Sequence, residues 1–155
     1  MQRRHLLISL AAAPITAAHA HHGWSSFDQD RPLFLQGTAR KIAWRNPHVE
    51  FDLELPADLA LPADLAKRPV PAQSASVNGP GLLAGARLPT RKDRVWHVEL
   101  APLTRLEAWK VAEIKNGDRV EVLGYTLSGE KGEAVLRAEY LFVEGRAYGL
   151  RSSPA

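Results

Sequence analysis

The 155-residue sequence contains no cysteine. This absence excludes disulfide bonds, thiolate metal ligands, a cysteine nucleophile and a thiol for lipid attachment. The sequence also lacks a long apolar run, because the stretch at 6–17 falls short of the ~20 residues that a transmembrane helix needs. We therefore expect a protein without a membrane anchor.

A strong excess of charge of either sign is also missing. Lys and Arg number 20 against 17 Asp and Glu, and residues 1–20 contain two of the basic residues and no acid. A nucleic-acid-binding surface needs a basic stripe, so we expect no nucleic-acid partner. Phosphate-cradling glycine loops, dinucleotide fingerprints and serine nucleophile motifs are absent too, which favours a non-enzymatic protein.

The first 20 residues have the features of a signal peptide. Arg3 and Arg4 give a basic start, residues 6–17 form a short apolar stretch, and residues 18–20 read Ala-His-Ala, a small-x-small cleavage pattern. The adjacent arginines leave both the general secretory and the twin-arginine route open. The sequence thus predicts a protein of the periplasm, or a secreted one, whose single mature domain is residues 21–155.

Short alternating runs of apolar and polar residues dominate this domain and predict a mainly β structure. The predicted strands are 33–44, 48–55, 94–100, 119–126 and 134–143. One short helix is predicted between strands three and four, where Thr104 and Glu107 form a capping-box pattern. Three strands, a helix and two strands predict a small five-stranded OB-like barrel, with a β-sandwich as the alternative. Gly37, inside the first strand, is expected to permit a bulge or sharp coil.

Residues 56–92, here called the insertion, differ from the rest in composition. They contain six prolines and many alanines, and a tandem hexapeptide begins just before them at Leu55 and repeats from Leu61. Proline-rich sequence does not form a sheet interior. We expect a partly disordered excursion between strands two and three without a role of its own. The residues after 143 are expected to dock on the barrel as a C-terminal tail.

Four histidines of the mature domain are candidate metal ligands: His21, His22, His48 and His97. Cleavage after Ala20 leaves His21 with a free amine beside its imidazole, a chelating pair that suits copper(II). Cleavage after residue 18 would instead place a histidine third from the amine, which also binds copper(II). His48 and His97 lie on outward faces of strands two and three, where we expect them to be cross-strand neighbours within ~5–8 Å. Trp24 and Phe27 are expected to anchor the terminus.

Three functions remain open on these residues. The first is a non-enzymatic copper-binding protein that receives its metal from, or passes it to, a partner protein in the periplasm. The second is a binding module without metal, whose barrel face bearing Trp44 or Trp96 engages a peptide, a glycan or a protein. The third, a copper oxygenase, would need a substrate surface and tuned surroundings of the metal that the sequence does not indicate.

Several blocks of sequence resemble a family of small exported bacterial proteins, classed as a domain of unknown function. The blocks are residues 21–28 (His-His-Gly-Trp-Ser-Ser-Phe-Asp), 37–38 (Gly-Thr), 44–49 (Trp-Arg-Asn-Pro-His-Val), 106–109 and 116–120. The most specific are the His-His start and the Trp-x-Asn-Pro-His segment. The resemblance implies a signal peptide and a compact β-rich body, and it implies no particular activity. The sequence departs from the family pattern in its insertion.

Overall fold

The structure is a computed structural model that describes residues 23–155. The predicted signal peptide at 1–20 and two of the candidate ligands, His21 and His22, lie outside the described residues. Among the residues described, no helix is long and apolar enough to cross a membrane.

Residues 23–155 form six β-strands: β1 (Leu33–Ala43), β2 (Glu50–Glu54), β3 (Val95–Glu99), β4 (Arg119–Tyr125), β5 (Val135–Val143) and β6 (Arg146–Gly149). They also form two α-helices, α1 (Gly79–Ala84) and α2 (Leu103–Ala108), and short 3-10 turns at Trp24–Ser26, Leu65–Lys67 and Ser128–Glu130. The first five strands lie where the alternating pattern predicts them. The helix between β3 and β4 is also confirmed, but its N-cap is Pro102 and no side chain caps it, so the predicted capping box of Thr104 and Glu107 does not form.

The strands form a closed barrel with one extra strand. Neighbours in the order β3-β2-β1-β4-β5-β6 pair antiparallel, and β3 also pairs with β5 in parallel. That parallel pairing closes the first five strands into a ring and leaves β6 as a hairpin extension of β5. The predicted OB-like barrel is therefore confirmed, and the single closed sheet excludes the sandwich alternative.

Alternate residues of the strands fill the barrel interior. On β2 and β3 the inward residues include Phe51, Leu53, Trp96 and Val98, each at most 1% exposed. The intervening residues of the same strands face outward, since successive side chains of a strand point to opposite faces. This alternation decides which polar groups share the outer surface of the barrel.

Gly37 has a different role from the one expected. The register shift of the β1–β2 pair lies between Arg40 and Ala43, three residues or more beyond Gly37. At Gly37 itself the backbone of β2 passes so close that an added Cβ would lie 2.1 Å from the carbonyl oxygen of Glu54. The residue thus permits the close approach of two strands, while the bulge forms elsewhere.

The insertion is folded against the outside of the barrel, so the expectation of a partly disordered excursion is wrong. Leu65 and Leu83 of the insertion are buried with Phe34, Leu123 and Tyr140 in a second apolar cluster. The insertion also contains α1. Its composition did not predict this helix, because glycine and proline are poor helix formers. The Asn78 side chain accepts a hydrogen bond from the Gly81 amide (3.0 Å) at the start of that helix.

The residues after 143 continue the sheet. Glu144 and Gly145 both have positive φ, 51° and 72°, and form the two-residue turn between β5 and β6. Turns of this kind match the twist of paired strands. The predicted C-terminal tail therefore does dock on the barrel, and Arg146–Gly149 do so as strand β6.

Candidate metal site

Three potential metal ligands meet on the outer face of β2 and β3. One ligand atom from each of Glu50, His97 and Glu99 lies within 4.8 Å of the others, and we call these residues the metal cluster. The strand register explains the grouping, because Glu50 lies directly opposite Glu99 and diagonal to His97. Imidazole nitrogen and carboxylate oxygen are both common ligands of divalent metals.

The imidazole of His97 lies between two carboxylates. Its Nε2 is 3.5 Å from Glu50 Oε2, and its Nδ1 is 3.6 Å from Oδ1 of Asp52, which lies directly opposite on β2. Asp52 also contacts Lys41 Nζ at 3.0 Å. Metal-bound histidines usually direct their second ring nitrogen to a carboxylate, which fixes the ring orientation. The arrangement has this form, with Nε2 toward the metal cluster and Nδ1 toward Asp52.

Glu99 is the most buried member of the metal cluster, and Arg137 balances its charge. The Nη2 and Nε atoms of Arg137 donate to Glu99 Oε2 at 2.5 and 3.0 Å. The parallel pairing of β3 and β5 places the two residues opposite each other. A buried carboxylate without such a partner would be strongly unfavourable, so Arg137 stabilises Glu99 in this position.

The chain just after the predicted mature terminus docks beside Arg137. The guanidinium carbon of Arg137 lies 5.2 Å from the ring centroid of Trp24 and 4.7 Å from that of Phe27. A second guanidinium, that of Arg151, lies 3.9 Å from the centroid of Trp24. Cation–π contacts of this kind stabilise by ~0.5–2 kcal/mol each. Residues 23–27, here called the N-terminal segment, are therefore held against the barrel. The expected anchoring by Trp24 and Phe27 is confirmed for this segment.

Tyr125 completes the surface under the N-terminal segment. Its ring meets that of Trp24 edge to face, with centroids 6.4 Å apart. Burial, assisted by the negative charge of Glu139, raises the pKa of Tyr125 to about 12. The phenol therefore stays neutral at physiological pH and contributes an aromatic surface without charge.

His48 and His97 are not the direct or diagonal neighbours that the sequence suggested. His97 lies opposite Asp52, whereas Val49, next to His48, exchanges backbone hydrogen bonds with Leu100 and Ala101. His48 thus lies four residues before Asp52, the residue that faces His97. At ~3.3 Å per residue this is a separation of about 13 Å along the strand. Glu50 lies between them. Alternation fixes which face a residue occupies, but not the offset of one strand against the next.

The metal cluster therefore contains one of the four predicted ligands, His97, together with two acids that sequence reasoning did not select. Glu50 and Glu99 alternate with apolar residues, a pattern that usually marks the solvated side of a strand. Glu99 differs from a solvated acid by its contact with Arg137 on β5. That contact can be foreseen only if the β3–β5 pairing is known. His21 and His22 lie outside the described residues.

The tryptophans considered as a ligand platform are engaged in the core. Trp96 is fully buried inside the barrel, so it offers no surface to a ligand. Trp44 is half-buried and packs against the same core. A ligand-binding face built on Trp96 is therefore excluded.

The N-terminal part of the chain is similar to a known protein family. The model of a family of unknown function (DUF6152) matches residues 7–60. The matched stretch contains the N-terminal segment, β1 and β2, and thus Glu50 and His48, but ends before His97, Glu99 and Arg137. The chain is therefore similar to this family over its N-terminal part. No curated protein matches the chain.

Proposed function

We propose that this protein is a non-enzymatic metal-binding protein of the periplasm, or a secreted one, and that its metal is copper. The observation that supports this most directly is the convergence of Glu50, His97 and Glu99, with ligand atoms within 4.8 Å of one another. The orientation of His97 between the cluster and Asp52 adds the second contact that metal-binding histidines commonly have.

The nitrogen ligands that the mature terminus would add favour copper. One imidazole and two carboxylates bind several divalent metals, so the metal cluster alone selects weakly. An amine and an imidazole from His21 would supply two nitrogens, and copper(II) suits nitrogen and oxygen ligands in a tetragonal arrangement. His22 and His48 are further candidate ligands.

The docking of the N-terminal segment makes such a contribution feasible. Trp24 and Phe27 lie against Arg137, and Arg137 binds Glu99 of the metal cluster. Two residues of extended chain span up to ~7 Å, so the distance from residue 23 to a terminus at His21 is short. The side chains of His97 and Glu50 are 23% and 18% exposed, which leaves a path for exchange of metal with a donor or acceptor protein.

The test begins with the exported protein. Its intact mass defines the terminus, and titration with copper(II), followed by electron paramagnetic resonance, measures affinity and ligand type. We expect Glu50→Gln and His97→Gln to weaken binding at least about tenfold, because each removes a ligand. The matched control is Glu54→Gln on the same face of β2, where Glu54 pairs with Arg40 outside the metal cluster. Equal affinities for all three variants and the wild type would exclude the metal cluster as the site.

The contribution of the terminus is tested separately. Three residues added before His21 convert its amine into an amide and leave no histidine among the first three positions of the chain, so they should abolish tight copper binding. Unchanged affinity and an unchanged resonance spectrum would show that the terminal amine is not a ligand, while leaving the metal cluster itself in place.

A groove supports the second candidate function, binding of a peptide, glycan or partner protein. Its volume is about 700 Å³, within the usual range of ligand sites. It lies between residues 64–71 of the insertion and the outer face of the sheet, and it is lined in part by Val70, Pro71 and Phe142. Failure of the wild-type protein to bind copper would favour this function over the first.

A further inference from the structure

Arg137 connects the metal cluster with the N-terminal segment. On one side it holds Oε2 of Glu99 through two hydrogen bonds, and on the other its guanidinium lies against the rings of Trp24 and Phe27. We propose that Arg137 is a positioning residue that couples the two, so that metal binding and docking of the N-terminal segment strengthen each other. This inference rests on the proposed metal-binding function.

The first step of the argument is geometric. Arg137 and Glu99 are 7% and 6% exposed at their side chains, and the β3–β5 pairing fixes their backbones opposite each other. The guanidinium is planar, and two of its nitrogens contact the same oxygen, which restricts the rotation of the Glu99 carboxylate. A displaced Arg137 would release Glu99 from the orientation that it has in the metal cluster.

The second step concerns the N-terminal segment. Arg137 contacts both rings from the position in which it holds Glu99, and Arg151 adds a second cation at the ring of Trp24. Docking and metal binding therefore favour one arrangement of Arg137. When two events favour the same state of a protein, each increases the equilibrium constant of the other by the same factor, commonly about 5–150-fold.

The coupling can be measured in the wild-type protein. The amides of Ser26 and Phe27 donate within the N-terminal segment, and that of Asp28 donates to Thr126 O at 2.9 Å. Hydrogen exchange of these three amides, followed by mass spectrometry, reports the docked state. One equivalent of copper(II) should slow their exchange about tenfold. Unchanged exchange while copper is bound would overturn the coupling.

A double-mutant cycle tests the role of Arg137 itself. Trp24→Ala removes the ring without removing a member of the metal cluster, and it should lower copper affinity about tenfold. Arg137→Lys keeps the charge but loses the planar contacts, so it should lower affinity similarly and change the resonance spectrum of bound copper(II). If both substitutions act through one coupling, the double variant should bind copper little more weakly than the single variant with the lower affinity. Additive losses would overturn the proposal, and circular dichroism verifies the fold of each variant.

The outcomes separate this inference from the function on which it rests. Absence of copper binding by the wild type overturns the proposed function and the coupling together. Copper binding that depends on Glu50 and His97, combined with unaltered exchange of the N-terminal segment, overturns the coupling alone.

Discussion

Glu139, whose side chain is completely buried, forms an ion pair with Arg151. Nη2 and Nε of Arg151 donate to Oε2 of Glu139 at 2.6 and 2.9 Å. Loss of one partner leaves an uncompensated buried charge, which is the most costly way to break such a pair. We expect Arg151→Gln to lower the free energy of unfolding by about 3 kcal/mol, measured by urea denaturation.

The control for this prediction is the paired variant. Glu139→Gln combined with Arg151→Gln removes both charges, so it should be less destabilising than Arg151→Gln alone. A double variant as unstable as the sum of the two single variants would contradict the account of the ion pair.

Asp52 should influence copper binding without contacting the metal. Its Oδ1 is 3.6 Å from Nδ1 of His97, and it is held there by Lys41. Carboxylates in this position orient the imidazole, and their loss commonly lowers metal affinity 10–100-fold. We expect Asp52→Asn to lower copper(II) affinity about tenfold in titration. Glu54→Gln on the same strand should leave affinity unchanged, and an equal effect of both variants would point to general charge instead.

Glu130 should make stability depend on pH. Burial by itself raises the pKa of Glu130, but hydrogen bonds from the Thr90 and Arg91 amides and the ion pair with Arg31 outweigh it, so the pKa is lowered. A carboxylate with a lowered folded-state pKa stabilises the protein fully above its unfolded-state value, about 4.3. That contribution disappears as the pH falls through the folded-state pKa.

The corresponding variant is Glu130→Gln. At pH ~7 it should lower the free energy of unfolding by about 1–3 kcal/mol, because the amide accepts these hydrogen bonds less strongly. The difference from wild type should shrink steadily in urea titrations at lower pH, below about 4. A difference that is independent of pH would show that the charge of Glu130 does not matter.

The barrel was predictable because its elements are coded locally. Phe51, Leu53, Trp96 and Val98 alternate with polar residues, and that period identifies strands without knowledge of their partners. The order of the elements then limits the possible topologies to a few. The insertion was predicted less well, because its burial depends on Leu65 and Leu83 meeting distant residues of the sheet.

The candidate site was harder to predict because it depends on strand pairing. A shift of any even number of residues preserves the face of every side chain, so alternation cannot distinguish a His48–His97 pair from the observed Asp52–His97 pair, four residues away. Sequence alone does not distinguish Glu99 from a solvated acid, because its partner Arg137 is 38 residues away and reaches it only through the parallel pairing.

The folded insertion predicts a cost for changes in its apolar residues. Leu83 is 2% exposed and lies in the second apolar cluster, whereas Leu61 of the same segment is 41% exposed. Leu83→Ala should lower the free energy of unfolding by about 2–4 kcal/mol, because it leaves a cavity. Leu61→Ala should change it by less than about 0.5 kcal/mol. Equal and small effects in urea denaturation would mean that the insertion does not contribute to the fold.

The close approach of β1 and β2 at Gly37 makes this residue hard to replace. An added Cβ would lie 2.1 Å from the carbonyl oxygen of Glu54, a backbone atom that the neighbouring Thr38–Glu54 pairing holds in place. We expect Gly37→Ala to lower the free energy of unfolding by about 3 kcal/mol or more, since the strands must separate. Gly23→Ala is the control, because the nearest atom to its Cβ is 3.8 Å away. If thermal denaturation shows the two variants to be equally stable, the strands at Gly37 can separate without cost and the close approach does not constrain the barrel.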